Sequence, residues 1–197
     1  MTYCFLDIET TGLDPKKDEI LEIAWSFTDD QFQPLDEGKS YLISPNWGEI
    51  RNRLNGSSFV EKMHTDSGLL ASLANDDLKK HDLDEVWFDL RDDLMAHSAN
   101  GLIHLAGRSV HFDKSFLMEQ GFDSLFDDSQ PVSFHHRMFD ISAVKLFLDG
   151  VSIDSKQFDV VNEQPHRALA DVQGDIGWSV NASEAMIHIK QMAEAYL

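Results

Sequence analysis

The sequence predicts an α/β protein in which a mixed central sheet carries helices on its faces. Two observations predict it. Three strand-like segments joined by short connections come first, and segments of helical and strand period alternate after them. No linker, internal repeat or low-complexity tract divides the 197 residues, so a single domain, 1–197, is expected.

The elements follow in order. Tyr3–Ile8 is a strand of aromatic and branched residues that ends on Asp7-Ile8-Glu9, and Thr10-Thr11-Gly12-Leu13-Asp14-Pro15 is turn chemistry. Glu19–Thr28 alternates in part, with Ile20, Glu22, Ala24 and Ser26 against Leu21, Ile23, Trp25 and Phe27, which predicts burial on one face. Gln31–Gly38 turns into a third strand, Lys39–Ile43, completing an antiparallel meander. From Pro45 to Lys80 the pattern is irregular and fits short helices. Asp82–His97 is an amphipathic helix with Leu83, Val86, Trp87, Leu90 and Leu94 on one stripe. Leu102–Leu105 reads as a buried strand, Phe112–Gln120 as a helix closed by Gly121, Arg137–Asp140 as a strand and Ile141–Leu148 as a helix. Asp149–Gln164 is polar and loop-like, and His166–Val180 begins the C-terminal helical region.

Composition restricts the partners. The formal net charge is −19, with 16 basic residues against 35 acidic ones. A protein that grips a long polyanion presents many cations to its phosphates, so a nucleic-acid substrate here is expected to be short, with divalent metal supplying positive charge. The plainer alternative is a solvated acidic surface. Cys4 is the single cysteine, which leaves no internal disulfide and no cysteine-built zinc site, and fits a reducing, cytoplasmic setting. No apolar run is long enough to span a bilayer and no secretory leader is expected, so no membrane partner is foreseen.

Carboxylates carry the chemistry. Residues two apart on a strand point to one face, so Asp7 and Glu9 converge, and their repulsion is relieved by a hard cation such as Mg²⁺ or Mn²⁺. Taken alone, the pair also fits a solvated strand end before a turn. Asp113 opens a helix after a buried strand, where the helix dipole favours an acid in any case. His166 and Asp171 stand five apart at the start of a late helix, with His166 in or beside the preceding loop. Alone, they also fit a helix-start histidine and a solvated acid.

In this order, the strand-borne Asp-x-Glu, the helix-start Asp and the His-x₄-Asp resemble the DEDDh exonucleases, and Phe5–Pro15 is similar to the first motif of that superfamily. The resemblance implies an RNase H-like sheet and metal-dependent 3′→5′ hydrolysis of phosphodiesters. It further implies that Asp7 bridges two divalent ions, Mg²⁺ or Mn²⁺. Glu9 and Asp171 would bind the ion carrying the attacking water, Asp113 would complete the site, and His166 would act as general base. Within the superfamily the chain resembles the oligoribonucleases from Tyr3 to about Asp175. Met63–Leu69, Gly107-Arg108-Ser109 and Arg137–Ser142 are similar to segments of that family. That likeness implies a cap of His64, Ser109, Arg137 and Ser142 around a 5′ phosphate, with Leu13 wedged against the bases and Phe59 stacked on one. The implied partners are short single-stranded RNA or DNA and a second copy of the chain.

The chain departs from that family in four places. The first motif reads Ile-Glu-Thr-Thr-Gly, the form of proofreading exonucleases and RNase T. Arg108 stands where an asparagine is usual, and His136 stands where a tyrosine reaches the neighbouring subunit. Gly177–Ala182 departs from the usual C-terminal helix and is expected to break it. The alternatives are therefore a broader single-strand 3′ exonuclease, a catalytically inactive binding module and a phosphodiesterase of small dinucleotide-like molecules.

Overall fold

The computed structural model describes residues 1–54, 58–98 and 101–195. Its sheet has five strands, β1 (Thr2–Thr10), β2 (Ile20–Thr28), β3 (Lys39–Leu42), β4 (Ile103–Gly107) and β5 (His135–Asp140), in the order β3-β2-β1-β4-β5. The first three strands pair antiparallel, while β4 joins β1 and β5 joins β4 in parallel. The helices are α1 (Trp47–Leu54), α2 (Ser58–Asp66), α3 (Leu69–Ala74), α4 (Leu83–Ser98), α5 (His111–Glu119), α6 (Ile141–Gly150) and α7 (Ala168–Ala195). This is the mixed sheet with flanking helices that the sequence predicts. No helix among the described residues is long and apolar enough to cross a membrane.

Apolar residues fill both faces of the sheet. On one face α4 buries Val86, Leu90 and Leu94 with Phe116 and Leu117 of α5 against Leu6, Ile8, Ile23 and Trp25. On the other, α6 and α7 cover Phe5, Ala24 and Ala106 with Ile141, Val172, Ile176 and Trp178. The strand β2 is consequently buried along its whole length, on two faces and not the expected one. Its partial alternation concealed this, because Glu22 and Ser26 sit inside with partners of their own.

The helix α7 is continuous across Gly177–Ala182, which overturns the expected break. Trp178 is buried and donates from Nε1 to the carbonyl of Ser155 at 3.1 Å. A Cβ on Gly177 would lie 3.0 Å from Val160 Cγ1, so glycine admits the preceding loop against the helix. Such packing outweighs the roughly 1 kcal/mol by which glycine disfavours a helix.

Candidate active site

The site forms where the sheet opens. Pairing of β1 with β4 runs from Thr2 opposite Ile103 to Phe5 opposite Ala106, and a Cβ on Gly107 would come within 2.8 Å of the Leu6 carbonyl. The chain then leaves β1 and enters α5, whose first turn carries Asp113. The Oδ1 of Asp113 accepts the Ile8 N–H at 3.2 Å, holding a 3% exposed carboxylate against the strand between Asp7 and Glu9.

Opposite stands the start of α7. His166 has a positive φ of 62°, an uncommon state for a residue with a side chain, and Asp171 holds it there. Asp171 Oδ2 accepts the His166 N–H at 3.0 Å, and its Oδ1 accepts from Asn162 Nδ2 at 2.7 Å. Side-chain ligand atoms of Glu9, His166 and Asp171 all lie within 4.8 Å of one another. A cavity of about 420 Å³ joins Asp7, His166 and Asp171 to Arg108, Asn162 and Asp175.

Electrostatics mark the cluster as one unit. Burial, then Asp113, Glu9 and Asp171, push Asp7 well above the usual carboxylate range. Burial also raises Asp113, against bonds from its own amide and that of Ile8. Glu9 is pushed up to about 8 by burial and by Asp171 and Glu22. Asp171 is raised by burial despite the His166 N–H. Carboxylates crowded in this way hold protons unless a cation joins them. Hard oxygen donors with one imidazole fit a divalent ion of the Mg²⁺ or Mn²⁺ kind.

Of the four cap residues, Ser109 and Ser142 meet. Their hydroxyls lie 3.1 Å apart, and Asp140 Oδ1 accepts from the amides of both residues. Arg137 lies on the exposed edge strand β5 and forms no ion pair among the described residues. His64 is 0% exposed, and Nε2 donates to the Thr10 carbonyl at 2.7 Å. Its Nδ1 lies 3.7 Å from Glu9 Oε2, beyond hydrogen-bonding range, so the residue sits behind Glu9 and does not face a solvent-borne phosphate. Leu13 and Phe59 are 81% and 76% exposed and line one cleft of about 690 Å³ together with Glu9.

The chain matches curated oligoribonucleases along most of its length. It is 30% identical to the oligoribonuclease of Tropheryma whipplei over 168 residues, covering 85% of this chain and 84% of that one. The chain belongs to the DEDDh exonuclease superfamily that includes the oligoribonucleases. The human mitochondrial oligoribonuclease is likewise 30% identical, over 175 residues that cover 87% of this chain and 68% of that one. No protein-family model matches. Among solved structures, the zinc-bound complex of Escherichia coli exonuclease I with single-stranded DNA superposes with a TM-score of 0.64 at 15% identity. The match covers 97% of this chain and 42% of exonuclease I, so the shared part is the RNase H-like exonuclease fold. As a member of this superfamily the chain has the make-up of a hydrolytic nuclease.

Three residues of this candidate site, Asp175, Glu22 and Arg167, were missed in the sequence. Asp175, one turn beyond Asp171 on α7, lines the same cavity and is pushed up to about 6 by burial. Its spacing of four from Asp171 was the available signal. Glu22, opposite Glu9 in the register, takes a two-pronged bond from Arg167 at 2.9 and 3.0 Å and accepts the Ala168 N–H at 3.1 Å. This pair fastens the start of α7 to β2 and so sets the distance from His166 to Glu9. Its signal was an acid in an otherwise apolar strand.

Proposed function

We propose that the chain removes nucleotides from the 3′ end of short single-stranded oligoribonucleotides until mononucleotides remain. The observation that carries the proposal is the meeting of Glu9, His166 and Asp171 beside Asp7 and the buried carboxyl of Asp113. Two divalent ions held by Asp7, Glu9, Asp113 and Asp171 would lower the pKa of a bound water and neutralise charge on the phosphate oxygens. His166 offers an imidazole nitrogen that can accept the proton of the attacking water. Its backbone is tied to Asp171 while its imidazole stays exposed, so the ring has room to move onto that water.

Substrate contacts follow from exposure. Leu13 and Phe59 project into the cleft beside Glu9, where an aromatic face can stack on any base at about 1–3 kcal/mol. Asp18 holds the Leu13 turn, accepting from Thr11 Oγ1 at 3.3 Å and from the Asp14 amide at 2.9 Å. Ser109, Ser142 and Arg137 supply neutral donors and one guanidinium for a 5′ phosphate on the β5–α6 side. The charge of −19 suits a substrate with few phosphates. The named oligoribonuclease relatives support RNA as the substrate.

A second reading, a single-strand exonuclease of broader length and sugar range, rests on the cap. With His64 turned inward and Arg137 on an open edge, the four cap residues do not close a pocket that would exclude longer strands. Hydrolysis with Mn²⁺ of 5′-labelled RNA and DNA, from dinucleotides to 20-mers (about 20 nucleotides), separates the two. Fastest turnover on diribonucleotides supports the first reading, and faster turnover on long strands or on DNA replaces it with the second. A homodimer belongs to the same proposal and is tested by the mass of the protein in solution.

A further inference from the structure

The cavity over Asp7 contains one permanent cation. Arg108 follows Gly107, which the Leu6 carbonyl crowds, and precedes Ser109, whose φ of 51° turns the chain sharply into α5. The Arg108 side chain lines that cavity together with Asp7, Asp159, Asp171 and Asp175. Its Nε donates to Asp175 Oδ1 in a short contact, and Nη2 stands 3.7 Å from Asp159 Oδ1, beyond hydrogen-bonding range. Asp159 is itself held by Lys145 Nζ at 2.6 Å. One edge of the guanidinium is thus clamped, while the side chain as a whole remains 47% exposed. A guanidinium carries five N–H donors, and the clamp uses one of them in a hydrogen bond.

We propose that Arg108 is a substrate-contacting residue that donates to a non-bridging oxygen of the phosphodiester bound over Asp7, with Asp175 and Asp159 as the residues that position it. The inference rests on the nuclease reading of the cavity. A planar, preorientated guanidinium can hold Asp175 along one edge and a phosphate oxygen along another, which the point charge of a lysine cannot do at once. The site is otherwise dense in acids, in a protein of charge −19, so a fixed cation here counters repulsion of the incoming phosphate.

The test compares unmodified protein with Arg108→Gln, Arg108→Lys and the double variant Arg108→Gln/Asp175→Asn. Arg108→Gln is expected to lower kcat/KM on a short 5′-labelled RNA by about 100-fold, the cost of losing one preorganised donor to the reacting oxygen. Arg108→Lys should recover only part of that loss. Affinity for a short RNA is then measured against salt in a His166→Ala background, where turnover is slowed enough for binding to be read. There Arg108→Gln should reduce the slope of log affinity on log salt by about 0.7, one phosphate contact to a single strand. Arg91→Gln, on α4 outside the cavity lining, should leave the slope unchanged. Near-normal activity of Arg108→Gln would overturn the proposal. So would recovery in the double variant with an unchanged salt slope, since Arg108 would then serve only to balance Asp175. Absence of hydrolysis by the unmodified protein is a different result, and it removes the nuclease reading itself.

Discussion

The two ends of the proposed substrate path are built differently. At the carboxylate end, Asp7, Glu9, Asp113 and Asp171 reach one region from three elements, and each is held by backbone geometry: strand pairing, the Ile8 amide or the His166 amide. At the β5–α6 end, the expected cap residues are engaged locally or turned away. Ser109 and Ser142 bond each other and share Asp140, His64 is sealed behind Glu9, and Arg137 lies on an open edge. The carboxylates thus converge from β1, α5 and α7 under backbone restraint, whereas the cap residues, carried by α2, α6, the β4–α5 turn and the edge strand β5, do not all meet at one pocket.

The sharpest way to break this contrast is at Asp7. Asp7→Ala should reduce Mn²⁺-dependent hydrolysis to background and also weaken metal binding in calorimetry, because its carboxyl stands among those of Asp113, Glu9, Asp171 and Asp175, whose repulsion a cation relieves. His166→Ala should lower turnover by about 10²–10⁴-fold while metal binding persists, as a general base would require. Loss of metal binding in His166→Ala would instead make the imidazole a ligand beside Glu9 and Asp171.

Removing the metal probes the same end without mutation. In the folded, metal-free protein Glu9 holds its proton from an ordinary 4.5 up to about 8, so that form binds more protons than the unfolded chain between these values. Its contribution to stability is complete below about 4.5 and is lost as the pH rises through about 8. The Tm of chelator-treated protein should therefore fall across that window, and Mn²⁺ should restore it. A Tm that rises over the window would contradict the crowded-carboxylate picture.

The other end predicts smaller effects. Phe59→Ala should weaken binding of short RNA by about 1–3 kcal/mol irrespective of base, measured by fluorescence titration. Arg137→Ala, at an exposed edge where ion pairs are worth little, should cost no more than about tenfold, confined to substrates bearing a 5′ phosphate. His64→Ala distinguishes cap from support. As a buried residue behind Glu9 it should lower Tm and slow hydrolysis of all lengths alike, whereas a selective loss on 5′-phosphorylated dinucleotides would return it to the cap.

How much of this could be read in advance follows from the same contrast. Asp7, Glu9, Asp113 and Asp171 were singled out by their order along the chain and its resemblance to the DEDDh motifs, since strand period and helix starts alone left each open to a plainer reading. The helix α4 was legible to within a residue or two from its apolar stripe. Burial of β2 on both faces was not, since it depends on α7 packing from far along the sequence. Nor was the continuity of α7, which the contacts of Gly177 and Trp178 with the 155–160 loop secure. His64 was assigned to the cap from its place in a family segment, whereas only tertiary structure shows its ring buried behind Glu9 and bonded to the Thr10 carbonyl. Asp175 went unread because a further acid in a chain with 35 of them carries no signal until Asp171 is known to face the cavity.

The central claim is that these carboxylates and His166 form one metal-dependent hydrolytic site. The most direct measurement is digestion of a 5′-labelled short RNA with and without Mn²⁺, by unmodified protein and by Asp7→Ala. Stepwise shortening from the 3′ end to a labelled mononucleotide, only with metal and only with Asp7 present, is the expected result. Equal digestion by Asp7→Ala, or no digestion by the unmodified protein under any metal, would contradict it.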